Sequence, residues 1–268
     1  MYNILNNTVD RSYHNGNNHE YFSGDLNRIL TLASAVVYTV ITIVILIEKY
    51  KYPKSSINYV LIGSVSESIG YFVRFAAVYH TDSFVLYVVQ QVLILIPPNL
   101  ITFGWYNIVA KVVKEHYYNV NLSKGKVRLG LISSSIVQII GSYMYSKADT
   151  RIAGRAIVIV GLFMTTIVYI ICFICCCRVY SLLRQEYKMK MENLPTIWRL
   201  IFFGLFLAIT LLTIRSIYRI IHYFKRFHHL TFYIFDTLLI IIILVAWSIL
   251  YPTKEIHQNN EDNYMQIA

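Results

Sequence analysis

Seven long apolar segments divide the chain, and the charged residues are concentrated between them. The first segment, Ile29–Ile47, has 19 residues without a charge, and the third, Ser83–Ala110, has 28. A helix that crosses a bilayer needs about 20 mostly apolar residues. The pattern therefore predicts seven transmembrane helices, which we call spans 1 to 7: Ile29–Ile47, Ile57–Val78, Ser83–Ala110, Leu129–Tyr145, Ala156–Cys177, Leu200–Ile221 and Leu230–Tyr251.

Helices are the expected element because backbone polar groups in lipid must pair within their own segment. The alternating pattern of a membrane barrel is absent. We therefore predict an all-α integral membrane protein with a polar extracellular or lumenal tail at residues 1–28, a membrane domain at 29–251 and a cytosolic tail at 252–268. The first 25 residues lack the apolar core of a signal peptide.

Composition supports this class and excludes others. The chain is 56% apolar and only 14% charged, whereas soluble domains carry about 25% charged residues. Soluble enzymes and nucleic-acid binders are therefore excluded. The sequence contains no phosphate-binding glycine loop, zinc-protease motif or nucleophile elbow. We accordingly expect neither an enzyme nor a bound cofactor or metal.

The positions of the basic residues predict the orientation. Of the 24 Lys and Arg residues, 14 lie on the side of the C-terminus, seven on the side of the N-terminus and three within spans. Cytosolic loops carry the excess, so the N-terminus is predicted outside. The sequon at Asn6 then lies on the outer tail and is a glycosylation candidate, whereas Asn121 faces the cytosol. The three Trp residues are near predicted cytosolic ends, where indoles often anchor a span.

Five ionisable residues lie within spans: Glu67 and Arg74 on span 2, Arg215 and Arg219 on span 6, and Asp236 on span 7. Each costs at least about 2.5–3.5 kcal/mol at mid-bilayer, so they should cluster. We expect Asp236 to meet Arg219 and Arg74, and Glu67 to meet Arg215. Such a cluster is either a structural ion-pair network or a site for a headgroup or a proton. Its sum of +1 favours an anionic headgroup.

Polar and helix-breaking residues in spans 3 and 4 are further site candidates. Pro97 and Pro98 lie in the middle of span 3, where they remove backbone donors and predict a kink whose freed carbonyls need partners. Gln90 lies on the same span, and Gln138 on span 4 is expected to bond a neighbouring helix. The kink serves either packing or substrate binding.

Three cysteines end the predicted span 5 at its cytosolic boundary. Cys175, Cys176 and Cys177 precede Arg178, and cysteines beside a membrane are candidates for palmitoylation. They could equally be small apolar fillers. A zinc site is not expected, because three consecutive helical residues point in three directions.

Several short motifs follow one another along the chain. They place Glu67, Gly70, Tyr71 and Arg74 on span 2; Gln90, Pro98 and Tyr106 on span 3; Gln138 and Gly141 on span 4; Arg215, Ser216, Tyr218 and Arg219 on span 6; and Tyr233, Phe235 and Asp236 on span 7. Together these motifs resemble the fungal seven-helix lipid-translocating exporter family, whose yeast members are associated with resistance to amino-cholesterol, with sphingoid long-chain base export and with porphyrin uptake. One departure is His222, where the family usually has an acidic residue.

The resemblance implies a protein of the fungal plasma membrane, or of the vacuolar or endoplasmic reticulum membrane, that moves or regulates lipids or amphiphilic small molecules. We expect a flippase-like exporter of lipids or amphiphiles such as sphingoid long-chain bases, contributing to lipid or drug resistance under stress. The alternative is a seven-helix receptor or stress sensor that regulates lipid asymmetry through cytosolic partners.

Overall fold

The structure, a computed structural model, describes residues 28–51, 55–80, 83–116, 124–189, 196–224 and 229–250. Within these ranges the chain is helical without strands, and seven helical segments are long and apolar enough to cross a membrane. The predicted fold class is therefore confirmed. Spans 1, 2, 4, 5 and 6 are single helices: Arg28–Lys51, Ser55–Ala77, Lys124–Ser146, Arg151–Met189 and Thr196–Phe224.

Spans 3 and 7 are interrupted. Span 3 consists of the helices Phe84–Leu95 and Pro97–His116 with a break at Ile96, as the two prolines predict. Span 7 begins with His229–Phe232, continues as a π-helical segment, Tyr233–Leu238, and ends as the helix Leu239–Leu250. The π-helical segment was not predicted from the sequence.

The spans form a closed bundle in which each packs on its neighbours in the chain and span 7 returns to span 1. The second half of span 3 also packs on spans 5 and 6, so span 3 is central. Many large apolar side chains face outward, among them Val40, Phe203 and Ile249. A lipid environment would cover them, as a membrane protein requires.

Two tryptophans lie in the core. Trp105 and Trp247 are buried and pack edge to face at 4.8 Å between ring centroids. Their rings fill the space between spans 3 and 7, a packing role that their position near predicted cytosolic ends did not indicate. The side chain of Trp198 lies outside the described residues, as do the two tails with Asn6 and the loop that holds Asn121.

Span 5 is much longer than predicted. Its helix does not end at Cys177 but continues to Met189. At about 1.5 Å per residue, its 39 residues exceed the roughly 30 Å hydrocarbon core of a bilayer. The helix continues because charged side chains end the apolar segment but not the helical hydrogen bonding, and Val179 and Leu183 still bury their side chains.

Candidate functional site

Asp236 is the centre of a buried ionic cluster between spans 2, 6 and 7. The π-helical segment carries it into the bundle, where it is 1% exposed. Arg219 donates from Nε to Asp236 Oδ1 at 2.5 Å and from Nη2 to Oδ2 at 2.8 Å. This two-point contact is the strong form of a carboxylate–guanidinium pair. The predicted pairing of Asp236 with Arg219 is therefore confirmed.

Arg215 is the second arginine on Asp236. Its Nε lies 2.9 Å from Asp236 Oδ1, and its Nη2 donates to Oδ2 at 3.3 Å. Arg215 and Arg219 are four residues apart and so lie on the same side of span 6. Both arginines therefore share one carboxylate, an arrangement that the sequence did not predict.

Glu67 lies at the edge of this cluster, where its negative charge is only weakly compensated. It is 1% exposed, and its Oε1 lies 3.9 Å from Arg215 Nη2. Among the described residues Oε1 has no hydrogen-bond partner. The expected meeting of Glu67 with Arg215 is confirmed, but only as a long ion pair, because Arg215 is directed mainly toward Asp236. A buried carboxylate oxygen without a donor is costly and is the first group to accept a proton or a cation.

Arg74 does not join the cluster, contrary to the prediction that it meets Asp236. Its guanidinium lies over the ring of Phe232, 4.3 Å from the centroid, and 5.7 Å from that of Tyr233. Among the described residues no carboxylate pairs with it. The reason is its position in the last turn of span 2, about 10 Å of helical rise beyond Glu67, where aromatic side chains of span 7 intervene.

The remaining cluster of four has two carboxylates and two guanidinium groups. Its formal charge is zero when all four are ionised, not the +1 expected for five residues. The argument from net charge for an anionic headgroup within this cluster therefore no longer holds.

The break in span 3 is connected directly to the cluster. Proline has no N–H, so Pro98 deprives the carbonyl of Ile94, four residues earlier, of its helical donor. Arg215 Nη2 supplies a replacement and donates to Ile94 O at 3.0 Å. The expectation that the freed carbonyls need partners is confirmed for Ile94. Arg215 thus bridges the break in span 3 and the carboxylate of span 7.

The two predicted glutamines have different surroundings. Gln138 Nε2 donates to Gly161 O at 3.1 Å and to Thr165 Oγ1 at 2.7 Å, both on span 5, which confirms its predicted role between helices. Gln90 is buried, and its Oε1 has no hydrogen-bond partner. No hydrogen bond or ion pair within the described ranges joins Gln90 to the ionic cluster.

A small polar cavity adjoins the arginines. Its volume is about 10 Å³, which is close to the space for one water molecule. It brings together candidates that the sequence could only place on separate spans. Its lining includes Pro98, Asn99, Gln138, Thr165, Tyr169, Arg215, Ser216 and Arg219.

Tyrosine and threonine side chains form a polar layer between spans 1, 2 and 7. Tyr38 donates to the carbonyl of Thr237 at 3.0 Å, the hydroxyls of Tyr71 and Thr237 are hydrogen-bonded, and Tyr233 bonds Thr31 at 2.6 Å. Tyr71 and Tyr233 belong to the family motifs, but the sequence assigned them no contacts. The only sequence signal for a role of Tyr71 and Tyr233 was their position near Glu67 on span 2 and Asp236 on span 7.

The three cysteines differ in exposure. Cys177 is exposed, Cys175 is intermediate and Cys176 is buried, as expected for consecutive residues of a helix. Cys177 is therefore the one that an acylating enzyme could reach most readily. Lipidation of this site stays a prediction, as does glycosylation of Asn6.

The comparisons with known proteins agree with the motifs. The RTA1-like protein family matches residues 60–259, a range that begins within span 2 and contains every member of the ionic cluster. Protoporphyrin uptake protein 1 of Saccharomyces cerevisiae (strain ATCC 204508 / S288c) is 24% identical over 199 residues, which cover 70% of this chain and 65% of the yeast protein. The chain thus matches less than two-thirds of that relative's length. No solved structure matches the chain. These matches confirm the resemblance to the fungal seven-helix family, and the chain belongs to the RTA1-like protein family.

Proposed function

We propose that the protein is a transporter, flippase-like in action, that exports lipids or amphiphiles such as sphingoid long-chain bases and so contributes to lipid or drug resistance. The observation that carries the proposal is the state of Glu67, a buried carboxylate whose Oε1 receives no hydrogen bond from the part of the chain that the structure describes. Ionisable groups inside a membrane are kept where they bind an ion, a proton or a headgroup. An amine of a long-chain base would supply the missing charge and the missing donors.

The surrounding residues support a carrier mechanism. Asp236 is held by two arginines and is already satisfied, so it positions Arg215 rather than binding the cargo. Transport sites often lie beside interrupted helices near the bilayer midplane, and both span 3 and span 7 are interrupted here. Gln90, Pro98 and Gln138 belong to the segments that would rearrange around the headgroup.

The proposal also covers how movement is driven. Because the chain has no phosphate-binding loop, we propose facilitated movement or coupling to a proton on Glu67, with no enzymatic step and no cofactor. The name of the yeast relative describes the uptake of protoporphyrin, an amphiphile, which supports this class of cargo. We place the protein in the fungal plasma membrane, with the vacuolar and endoplasmic reticulum membranes as alternatives.

Transport in liposomes tests the proposal. The purified full chain is reconstituted, and the movement of a fluorescent sphingoid base between leaflets is followed by quenching from outside. We expect movement with the wild type, little with Glu67→Gln, and wild-type movement with Ser66→Ala. Ser66 is a matched control because it is the preceding residue of span 2 and bonds only the carbonyl of Ile62 in its own helix. Equal movement with Glu67→Gln would overturn the role of Glu67, and no movement above empty liposomes would overturn the transport proposal.

One observation favours the alternative of a receptor or sensor. The extension of span 5 beyond Cys177 exposes Arg178 and Arg184, which form a basic surface on the predicted cytosolic side. A cytosolic protein could bind there when an amphiphile occupies the bundle. Recruitment of such a protein to liposomes that contain both the chain and the sphingoid base, and its loss on Arg178→Gln with Arg184→Gln, would support this alternative.

A further inference from the structure

Arg74 is half-buried and, unlike the buried Arg215 and Arg219, has no acidic partner among the described residues. Arg215 and Arg219 both bind Asp236. Within the described ranges, Arg74 instead lies over aromatic rings, and its buried Nε atom has no hydrogen-bond partner there. A guanidinium over a ring gains about 0.5–2 kcal/mol, which does not replace an ion pair. The Nε–H donor is therefore left for another group.

Two further basic side chains approach the aromatic support of Arg74. The ring of Phe232 lies 4.3 Å from the Arg74 guanidinium carbon, and Arg219 approaches the same ring at 6.0 Å. The imidazole of His222 lies 6.4 Å from it, centroid to centroid. These side chains come from spans 2, 6 and 7, at the end of the bundle where spans 2 and 6 finish and span 7 begins.

We propose that Arg74, on its aromatic support at Phe232, is a binding site for an anionic headgroup, a carboxylate or a phosphate, carried by an amphiphile at this end of the bundle. The site is separate from the ionic cluster at Glu67 and Asp236. This inference deepens the proposed function. It rests on the proposed function only in assuming that the ligand is an amphiphile.

The chemistry of the guanidinium group favours this ligand class. Its planar fork matches the two oxygens of a carboxylate or phosphate and is weakly hydrated. Phe232 and Tyr233 fix its orientation from span 7, so less side-chain freedom is lost when an anion binds. A position in the last turn of span 2 places the group where a lipid headgroup, and not an acyl chain, is expected.

Binding by the purified full chain tests the site without any transport step. The protein is placed in phosphatidylcholine nanodiscs and titrated with fluorescent lysophosphatidic acid, with a fluorescent fatty acid, and with a monoacylglycerol that carries the same label and no charge. We expect the wild type to bind both anionic probes about tenfold or more tightly than the neutral probe, the difference that one charge-assisted contact supplies. Arg74→Gln should remove this preference.

Arg155→Gln is the matched control. Arg155 on span 5 also lies over a phenylalanine ring, that of Phe224 on span 6, at 5.6 Å, so its aromatic support comes from neither span 2 nor span 7. Its variant should keep the preference for anionic probes. Equal loss in both variants, or an unchanged preference in Arg74→Gln, would overturn the site. So would a wild type that binds charged and neutral probes alike.

Two further measurements test whether the guanidinium group and an amphiphilic ligand are both required. Arg74→Lys keeps the positive charge and loses the planar guanidinium group, so we expect it to retain part of the preference for anionic probes. This variant keeps the test valid if Arg74→Gln fails to fold. A monodisperse Arg74→Lys protein without any preference would count against the site. Competition by inorganic phosphate at concentrations equal to the lipid would show that a free anion suffices and overturn the requirement for an amphiphile. The binding experiment measures no movement of lipid and is therefore independent of the transport assay. If the protein binds anionic probes selectively but does not move long-chain bases, the proposed function is rejected and the anion site is retained.

Discussion

Asp236 is the residue on which most of the buried charge depends. It is a single carboxylate that compensates Arg215 and Arg219, while Glu67 reaches only Arg215, in a long ion pair of 3.9 Å. Loss of one partner in a buried pair leaves an unpaired charge, which costs more than the pair itself contributes. The cluster is therefore sensitive to the removal of one charge and tolerant of the removal of a matched pair.

The first prediction is that Asp236→Asn sharply lowers stability and expression. Two arginines would then face Glu67 alone, and the expected cost is about 3–5 kcal/mol. Asp149→Asn, at an exposed position between spans 4 and 5, should change stability little. Thermal unfolding of the detergent-solubilised proteins and their surface expression measure both effects.

Removing the charge of Arg219 as well should restore folding. In Asp236→Asn with Arg219→Gln, Arg215 and Glu67 remain as one opposite pair. If the pair also serves transport, expression returns without activity. Recovery of both expression and activity would show that Asp236 and Arg219 are structural only, and normal expression of the single Asp236→Asn variant would contradict the pairing seen here.

At the scale of elements, the break in span 3 is held by a side chain from another helix. Pro97 and Pro98 each remove a backbone donor, and Arg215 replaces the one that Ile94 O has lost. Gly70 on span 2 allows this approach, because a Cβ there would lie 3.0 Å from Ile94 Cγ1 and 3.1 Å from Leu93 Cβ. Spans 2, 3 and 6 therefore meet at the break.

The second prediction is a coupling between Pro98 and Arg215. Pro98→Ala supplies an N–H that can donate to Ile94 O, so Arg215→Gln should be less destabilising in that background, by about 1 kcal/mol, the net worth of one hydrogen bond. A double-mutant cycle on thermal stability measures the coupling. Pro97→Ala is the control, since its N–H would serve Leu93 O instead, and it should show no coupling with Arg215→Gln. Equal coupling in both cycles would contradict the specific role of Ile94 O.

The third prediction concerns the close packing of spans 4 and 5. A Cβ at Gly154 would lie 2.1 Å from the backbone nitrogen of Tyr145 and 2.5 Å from the carbonyl carbon of Met144. Backbone atoms would have to move, so Gly154→Ala should cost more than the roughly 1–3 kcal/mol of an overpacked side chain. Gly125→Ala, at the start of span 4 with nothing within 4 Å, should be neutral or stabilising because alanine favours the helix. Similar melting temperatures for the two variants would contradict the packing.

At the scale of the whole molecule, the orientation in the membrane rests on the loop charges. The fourth prediction is that Asn6 carries a glycan and Asn121 does not, since 14 basic residues lie on the side of Asn121 and seven on the side of Asn6. Endoglycosidase treatment of the wild type and of Asn6→Gln and Asn121→Gln variants measures this. A glycan lost only in Asn121→Gln would invert the orientation.

Much of the fold was contained in the sequence. Seven apolar segments, the break at Pro97 and Pro98, and the convergence of spans 2, 6 and 7 on their charges were all predictable, because each follows from a local or pairwise rule. Hydropathy fixes which residues enter the bilayer, proline removes a donor wherever it stands, and an isolated charge in lipid is too costly to leave unpaired. Helix length was less predictable, since span 5 continues 12 residues beyond its apolar segment.

Only the tertiary structure decided which charges pair. The sequence gives the depth of Arg74 and Arg215 along their helices, but the choice of partner depends on how each helix is rotated and how closely it approaches its neighbours. That rotation is set by packing, as at Gly70 against Ile94, and by the π-helical segment that carries Asp236 toward both arginines of span 6. Both arginines of span 6 pair with the carboxylate of Asp236. As a consequence, Arg74 packs on the aromatic rings of span 7 and Glu67 Oε1 receives no hydrogen bond from the described residues.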